Sequence, residues 1–158
     1  MVLLHVGAGG RYYEGFINSD RRNSWDGKRF KIDEVMLLEE PWPYADKSVD
    51  GIVGMHVFQQ LAWRDLVKAF KEAHRVLKKG GVLRMGLPMV ELQEKSLEWL
   101  LGWNNINLLS FDLLKMVLVD RIGFKHIRRR GYRRSRMKEF IKVDNRHDRG
   151  TWYIEVIK

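Results

Sequence analysis

The chain has 158 residues, 45% hydrophobic and 31% charged, with a formal net charge of +9. That balance argues for a folded protein, predicted as one domain over 1–158, and against bulk disorder. The absence of cysteine excludes disulfides, thiolate metal sites and cysteine nucleophiles.

No apolar stretch reaches the ~18–20 residues that cross a bilayer, and the N-terminal run lacks the basic flank of a signal peptide. The expectation is therefore a soluble, cytoplasmic protein with no membrane partner. The charge is uneven. Between Ile122 and Lys142, nine cations (Lys125, Arg128, Arg129, Arg130, Arg133, Arg134, Arg136, Lys138 and Lys142) face only Glu139, giving this segment +8 and leaving the remainder nearly neutral in sum. Such a segment attracts phosphate or another polyanion.

In chain order, Val2–Val6 is predicted as a first strand and Gly15–Ser19 as a second, with Arg11–Glu14 too short for a crossover helix. Val35–Leu38 is a third, closed by Pro41-Trp42-Pro43-Tyr44, where proline blocks a helix. Gly51–Met55 is a fourth. Trp63, Leu66, Val67, Phe70, Ala73, His74 and Leu77 then share one face of a helix. Lys78-Lys79-Gly80-Gly81 is predicted to end it, with glycine as a left-handed cap. Val82–Leu87 reads as a buried strand stopped by Pro88, and residues 92–101 as helical. Ser110 is a predicted N-cap for a helix with Leu113, Leu114, Val117 and Leu118 inward and Gly123 closing it. Phe124–Arg130 and Thr151–Ile157 follow as an antiparallel pair with the basic loop between them. The pattern is α/β, mostly parallel.

The richest motif is the start of the chain. An apolar run ends in Gly7-Ala8-Gly9-Gly10, and a second short strand ends in Asp20. Glycines let backbone approach a ligand closely, and an acid at the next strand tip can accept hydrogen bonds from a ribose diol. A tight turn with no ligand reads equally well from these residues alone.

Further motifs follow in order. Gly15-Phe16-Ile17-Asn18-Ser19-Asp20 is similar to "G-W-I-N-V-D", and Pro41-Trp42-Pro43-Tyr44-Ala45-Asp46-Lys47-Ser48-Val49-Asp50 to "P-L-P-F-x-D-x-S-F-D". His56-Val57-Phe58-Gln59-Gln60-Leu61 is similar to "H-V-L-E-H-L", and Glu72–Gly81 to "E-x-x-R-V-L-K-P-G-G". Together they resemble the small class I S-adenosylmethionine-dependent methyltransferases, a subgroup with a minimal link between the first two strands. The resemblance implies a Rossmann-like sheet of order 3-2-1-4-5-7-6. It also implies S-adenosyl-L-methionine as cofactor and transfer of its methyl group to a nucleic acid or a sugar-type hydroxyl. Gly7, Ala8 and Gly9 would face the methionine part, Asp20 the ribose, Leu37 and Leu38 the adenine, and Met55 and His56 the methyl end.

The sequence departs from the subgroup in several places. His5 replaces an acid or amide, Leu37 replaces the adenine-contacting acid (with Glu39 as a substitute), and Gln59-Gln60 replaces "E-H". The chain begins at the first strand, without the helices that usually cover the cofactor, so a homodimer that supplies the cover is one expectation. Methyl transfer runs largely on positioning and desolvation, but a hydroxyl acceptor benefits from a general base. His56 is the candidate, against a purely structural role at the strand end. His74 reads as a core residue. His126 and His147 lack further ligands at metal spacing, so no metal site is expected. Trp99 and Trp103 are the tryptophans expected nearest an acceptor. Arg128, Arg129, Arg130, Arg133 and Arg134, with Tyr132 interleaved, are candidates for polyanion binding, set against a solvated hairpin loop. A catalytically degenerate module of the same fold, acting as a basic binding subunit, is the alternative.

Overall fold

A computed structural model describes residues 1–88, 109–144 and 151–158. The predicted helix over 92–101, Trp99, Trp103 and His147 lie outside these residues. Among the described residues nine strands form in chain order: β1 (Leu3–Val6), β2 (Ile17–Asp20), β3 (Ser24–Trp25), β4 (Lys28–Arg29), β5 (Glu34–Val35), β6 (Val49–Met55), β7 (Leu77–Pro88), β8 (His126–Arg130) and β9 (Thr151–Ile157). Seven make one sheet of order β5-β2-β1-β6-β7-β9-β8, while β3 and β4 form a separate hairpin. With the hairpin set aside, the order is the 3-2-1-4-5-7-6 expected. β5, β2, β1, β6 and β7 are mutually parallel. β9 runs antiparallel between β7 and β8.

The first helix, α1 (Trp63–Val76), buries Leu66, Ala69, Phe70, Ala73 and Val76. These residues join Leu4, Ile52, Leu83, Met85 and Ile154 in the main core, on one face of the sheet. Trp63, assigned to the buried stripe, is instead 41% exposed; it is the first residue of the helix, and the buried stripe starts at Leu66. The helix does not end on a glycine cap. Leu77 turns directly into extended backbone and pairs with Val49, so β7 starts without a loop. Gly80 (φ +81) instead makes a turn inside the long strand. Glu72 and Arg75, from the "E-x-x-R" motif, fasten the proline-rich loop. Arg75 donates to Glu72, Asp46 and the carbonyls of Trp42 and Tyr44, and Glu72 accepts the Trp42 amide at 2.7 Å. Trp42 is buried, a core residue.

The next helix among the described residues, α2 (Phe111–Lys115), continues as π-helical turns over Met116–Ile122. Ser110 caps it, its Oγ accepting the Leu113 amide at 3.2 Å, and Gly123 closes it at φ +103. His74 is half-buried, edge-on to Phe124 with ring centroids 4.9 Å apart.

The opposite face of the sheet has a different cover. Leu3, Val53, Met55, Val82 and Tyr153 pack with Phe16, Phe140 and Val143, flanked by Tyr132 and Met137. Gly51 makes this fit possible, because a Cβ there would lie 2.6 Å from Phe140 Cζ and 2.7 Å from Met137 Sδ. The segment after β8 is therefore not a solvated loop; its apolar residues roof the sheet while its arginines face outward.

Candidate active site

Strand register places the predicted residues along one edge. Val6 pairs with Gly54 and Ser19, so Asp20, Gly7 and Met55 follow at the same level: Asp20 and Met55 are the last residues of β2 and β6, and Gly7 is the first residue beyond β1. The row continues from Met55 to Gly86, from Gly86 to Tyr153 and from Tyr153 to Arg130. Carboxyl ends of parallel strands at a reversal of strand order are where open α/β sheets bind ligands.

The loop after β1 is built from left-handed backbone. Gly7, Gly9 and Gly10 have φ of +65, +55 and +81, a region costly for residues with a Cβ. Gly7 is also packed, since a Cβ there would overlap the Val57 side chain. That contact brings the glycine loop against the residue that follows His56. Gly9 differs, because its Cβ direction is open, with nothing nearer than the Gly7 carbonyl oxygen at 3.8 Å. Asp20 fixes the loop: its Oδ2 accepts the Gly9 amide at 2.8 Å and its Oδ1 the Arg22 amide at 3.4 Å. The Asp20 carbonyl accepts the Met36 amide at 2.9 Å and so holds the adenine-side segment. There Met36 and Leu38 are buried, whereas Leu37 is 38% exposed. Glu39 lies in a turn beyond the end of β5, so strand alternation does not put it in place of the missing acid.

His5, the departure in the first strand, is a buried anchor. Asn18 donates through Nδ2 to the Tyr13 and Phe16 carbonyls and to Asp33. Its Oδ1 therefore accepts, from the Tyr13 amide and from His5 Nδ1 at 3.1 Å. Burial pushes the His5 imidazole below its ordinary range, which keeps it neutral in this role. Asp33 also accepts from the Asn18 amide and the Tyr12 hydroxyl; these bonds hold its carboxyl below the usual range.

His56 follows β6 with φ +57. Its amide donates to the Gly86 carbonyl, its carbonyl accepts from Gln60 Nε2, and its Nε2 is hydrogen-bonded to Thr151 Oγ1 at 3.0 Å. Thr151 opens β9, ninety-five positions away, and no local motif could have linked the two. Among the described residues no group of acids and histidines could hold a metal ion, and no helix is long and apolar enough to cross a membrane.

The five candidate arginines divide. Arg128 is exposed. The Arg129 guanidinium stacks over Trp152 at 4.3 Å and Phe111 at 5.1 Å, and Arg130 Nε donates to Glu155 at 3.0 Å. Arg133 and Arg134 are exposed, but their backbone is tied inward. Asp144 accepts the Arg133 amide, and the Arg134 carbonyl accepts from the buried Arg84. Glu155, outside the segment, thus matches the charge of Arg130.

Residues 21–31 hold the element that a search for apolar runs misses. Ser24 pairs with Arg29 and Trp25 with Lys28 around Asp26 (φ +46) and Gly27 (φ +74). Two positive-φ residues make the primed turn that Asp-Gly favours, and that dipeptide was the available signal.

Residues 14–85 match the family model of a methyltransferase domain. Among curated proteins no sequence matches the chain. An S-adenosylmethionine-dependent methyltransferase of Archaeoglobus fulgidus is 16% identical, with TM-score 0.68 over 99% of this chain and 85% of that one. A methyltransferase of Haloferax volcanii, solved in complex with the Trm112 methyltransferase activator, is 17% identical, with TM-score 0.67 over 99% and 81%. Phosphoethanolamine N-methyltransferase 2 of Haemonchus contortus, in complex with S-adenosyl-L-methionine, is 13% identical, with TM-score 0.61 over 100% and 48%.

Proposed function

From a chain that carries a methyltransferase domain on the class I S-adenosylmethionine-dependent fold, we propose a working transferase that binds S-adenosyl-L-methionine over the glycine loop. The observation that carries this reading is the pairing of Gly9 with Asp20. The loop is held open above Gly9 by a carboxylate at the neighbouring strand tip, a cradle that fits a ligand bearing a ribose. Gly7 and Ala8 shape the loop, Leu37 and Leu38 flank the base, and Met55 lies toward the reacting end. The cofactor, when bound, supplies a methyl group on an electrophilic sulfonium.

His56 is the residue proposed to take the proton of a hydroxyl acceptor, and Thr151 orients its ring, the arrangement a general base requires. The acceptor class we favour is a nucleic acid or a sugar-type hydroxyl, with the outward arginines of β8 and the following loop contributing to an anionic one. A second reading, a degenerate module on the same fold, has specific support. Gln59 and Gln60 supply no titratable group after β6, and Leu37 supplies no acid to the adenine.

Calorimetric titration with S-adenosylmethionine and S-adenosylhomocysteine separates the two readings. Micromolar binding that Gly9→Arg and Asp20→Ala abolish, with the fold intact, supports the enzyme. Absence of binding at millimolar ligand overturns it and favours the degenerate module.

A further inference from the structure

The β3–β4 hairpin is a second concentration of positive charge. Residues 21–31 contain Arg21, Arg22, Lys28, Arg29 and Lys31 against Asp26 alone. All five cations are exposed, and among the described residues none takes part in an ion pair. The near-neutral sum outside residues 122–142 hides this cluster because acids elsewhere offset it. The hairpin also displays Trp25, 57% exposed on a two-residue strand outside both core clusters. An exposed indole forgoes the stabilisation that burial of a large apolar side chain gives. The Arg22 guanidinium lies over the ring, 3.6 Å from its centroid, and Lys28 is the cross-strand partner of Trp25.

The hairpin is tethered at both ends to the glycine-loop edge. Arg22 donates its amide to Asp20, and Phe30 packs on Gly10, with Phe30 Cβ 3.3 Å from where a Gly10 Cβ would lie. The Phe30 amide closes the base of the hairpin on the Asn23 carbonyl at 2.9 Å.

We propose that this hairpin binds single-stranded nucleic acid, with a base stacked on Trp25 and the adjoining phosphates held by Arg21, Lys28 and Arg29. A flat aromatic face among exposed cations on a short rigid turn serves both halves of a nucleotide, the π-face of the base and the charge of the phosphate. A base in a duplex has no exposed face to offer. The outward arginines near Arg130 lie at the same edge of the sheet, five strand spacings from Asp20, or about 24 Å. A strand touching both basic elements crosses Met55 and His56. Binding at the hairpin itself does not depend on cofactor binding.

The test is fluorescence anisotropy with a labelled oligouridylate and, separately, a duplex RNA of the same length. The expected result is a clear preference for the single strand. Trp25→Ala should weaken binding at least about fivefold, and Trp25→Phe should retain most of it. Arg21→Ala with Lys28→Ala and Arg29→Ala should flatten the salt dependence by about two units of slope. Retained S-adenosylmethionine binding by Trp25→Ala reads the cofactor site separately. The loss should persist when Arg128 and Arg134 are already alanine. Equal affinity of wild type and Trp25→Ala, equal affinity for duplex, or no binding of the oligouridylate by wild type overturns the proposal.

Discussion

Arg84 donates from Nη1 to Glu155 Oε1 at 2.9 Å in the interior of the sheet, where neither side chain is more than 2% exposed. The same guanidinium forks onto Asp144 through Nε and Nη2 at 2.9 and 2.6 Å, and Arg130 reaches the other oxygen of Glu155. Two arginines thus balance two carboxylates, and Arg84 also donates to the Gly131 and Arg134 carbonyls. The group ties β7, β8 and β9 to the segment that roofs the sheet. Arg84→Met should destabilise the fold by about 3–5 kcal/mol, because it leaves the buried Asp144 carboxylate without its cation and Glu155 with Arg130 alone. Urea denaturation checks this; a loss below about 1 kcal/mol would show that water or rearrangement compensates Asp144.

Gly7 and Gly9 of the first loop should separate stability from binding. Gly7→Ala meets both left-handed backbone and the Val57 side chain, so a loss of about 1–3 kcal/mol is expected. Gly9→Ala meets only the backbone cost, about 1 kcal/mol, because the space above it is open. If that space receives the cofactor, Gly9→Ala loses S-adenosylmethionine affinity by more than its stability cost. Thermal melts and calorimetry on both variants give the comparison.

Stability should fall as the solution is acidified from pH ~7.5 to ~5.5. Burial depresses His5 and His74 below their ordinary value, so in this window the unfolded chain binds more protons than the folded one. Their contribution is complete above about pH 6.5, the unfolded value, and is lost as pH drops toward the folded values. His5→Gln should flatten the slope of melting temperature against pH, while keeping an amide donor for Asn18. An unchanged slope would assign the acid sensitivity elsewhere.

If His56 acts as a base, Thr151→Val should lower kcat while leaving cofactor affinity near wild type, because the ring loses its orienting bond but the glycine loop is untouched. His56→Gln should cost about 10²–10⁴ in kcat for a hydroxyl acceptor. Equal activity of Thr151→Val and wild type on a methylated acceptor would make that bond structural.

Apolar runs, glycine turns and one strong amphipathic helix made the elements legible in the sequence, whereas the strand order followed only from the family resemblance that the motifs carry. Local chemistry also identified the Ser110 cap and the Gly123 closure. Features that depend on distant partners were hidden. Neither Arg84 nor Glu155 stands out in its strand until register brings in Asp144, and Thr151 meets His56 only through β9. The arginines after β8 could be counted but not sorted, since which face outward depends on Met137 and Phe140 finding Gly51. The hairpin was missed for a different reason: its strands are two residues long and lack an apolar alternation, so only Asp26-Gly27 marks them.

The roof formed by residues 131–144 has a consequence for synthesis. Leu3, Val53, Met55 and Val82 emerge from the ribosome long before Phe140 and Val143, the residues that shield them. One side of the sheet therefore stays sticky through most of translation, and chains cut short before the roof should be clients for chaperones or seeds for aggregation.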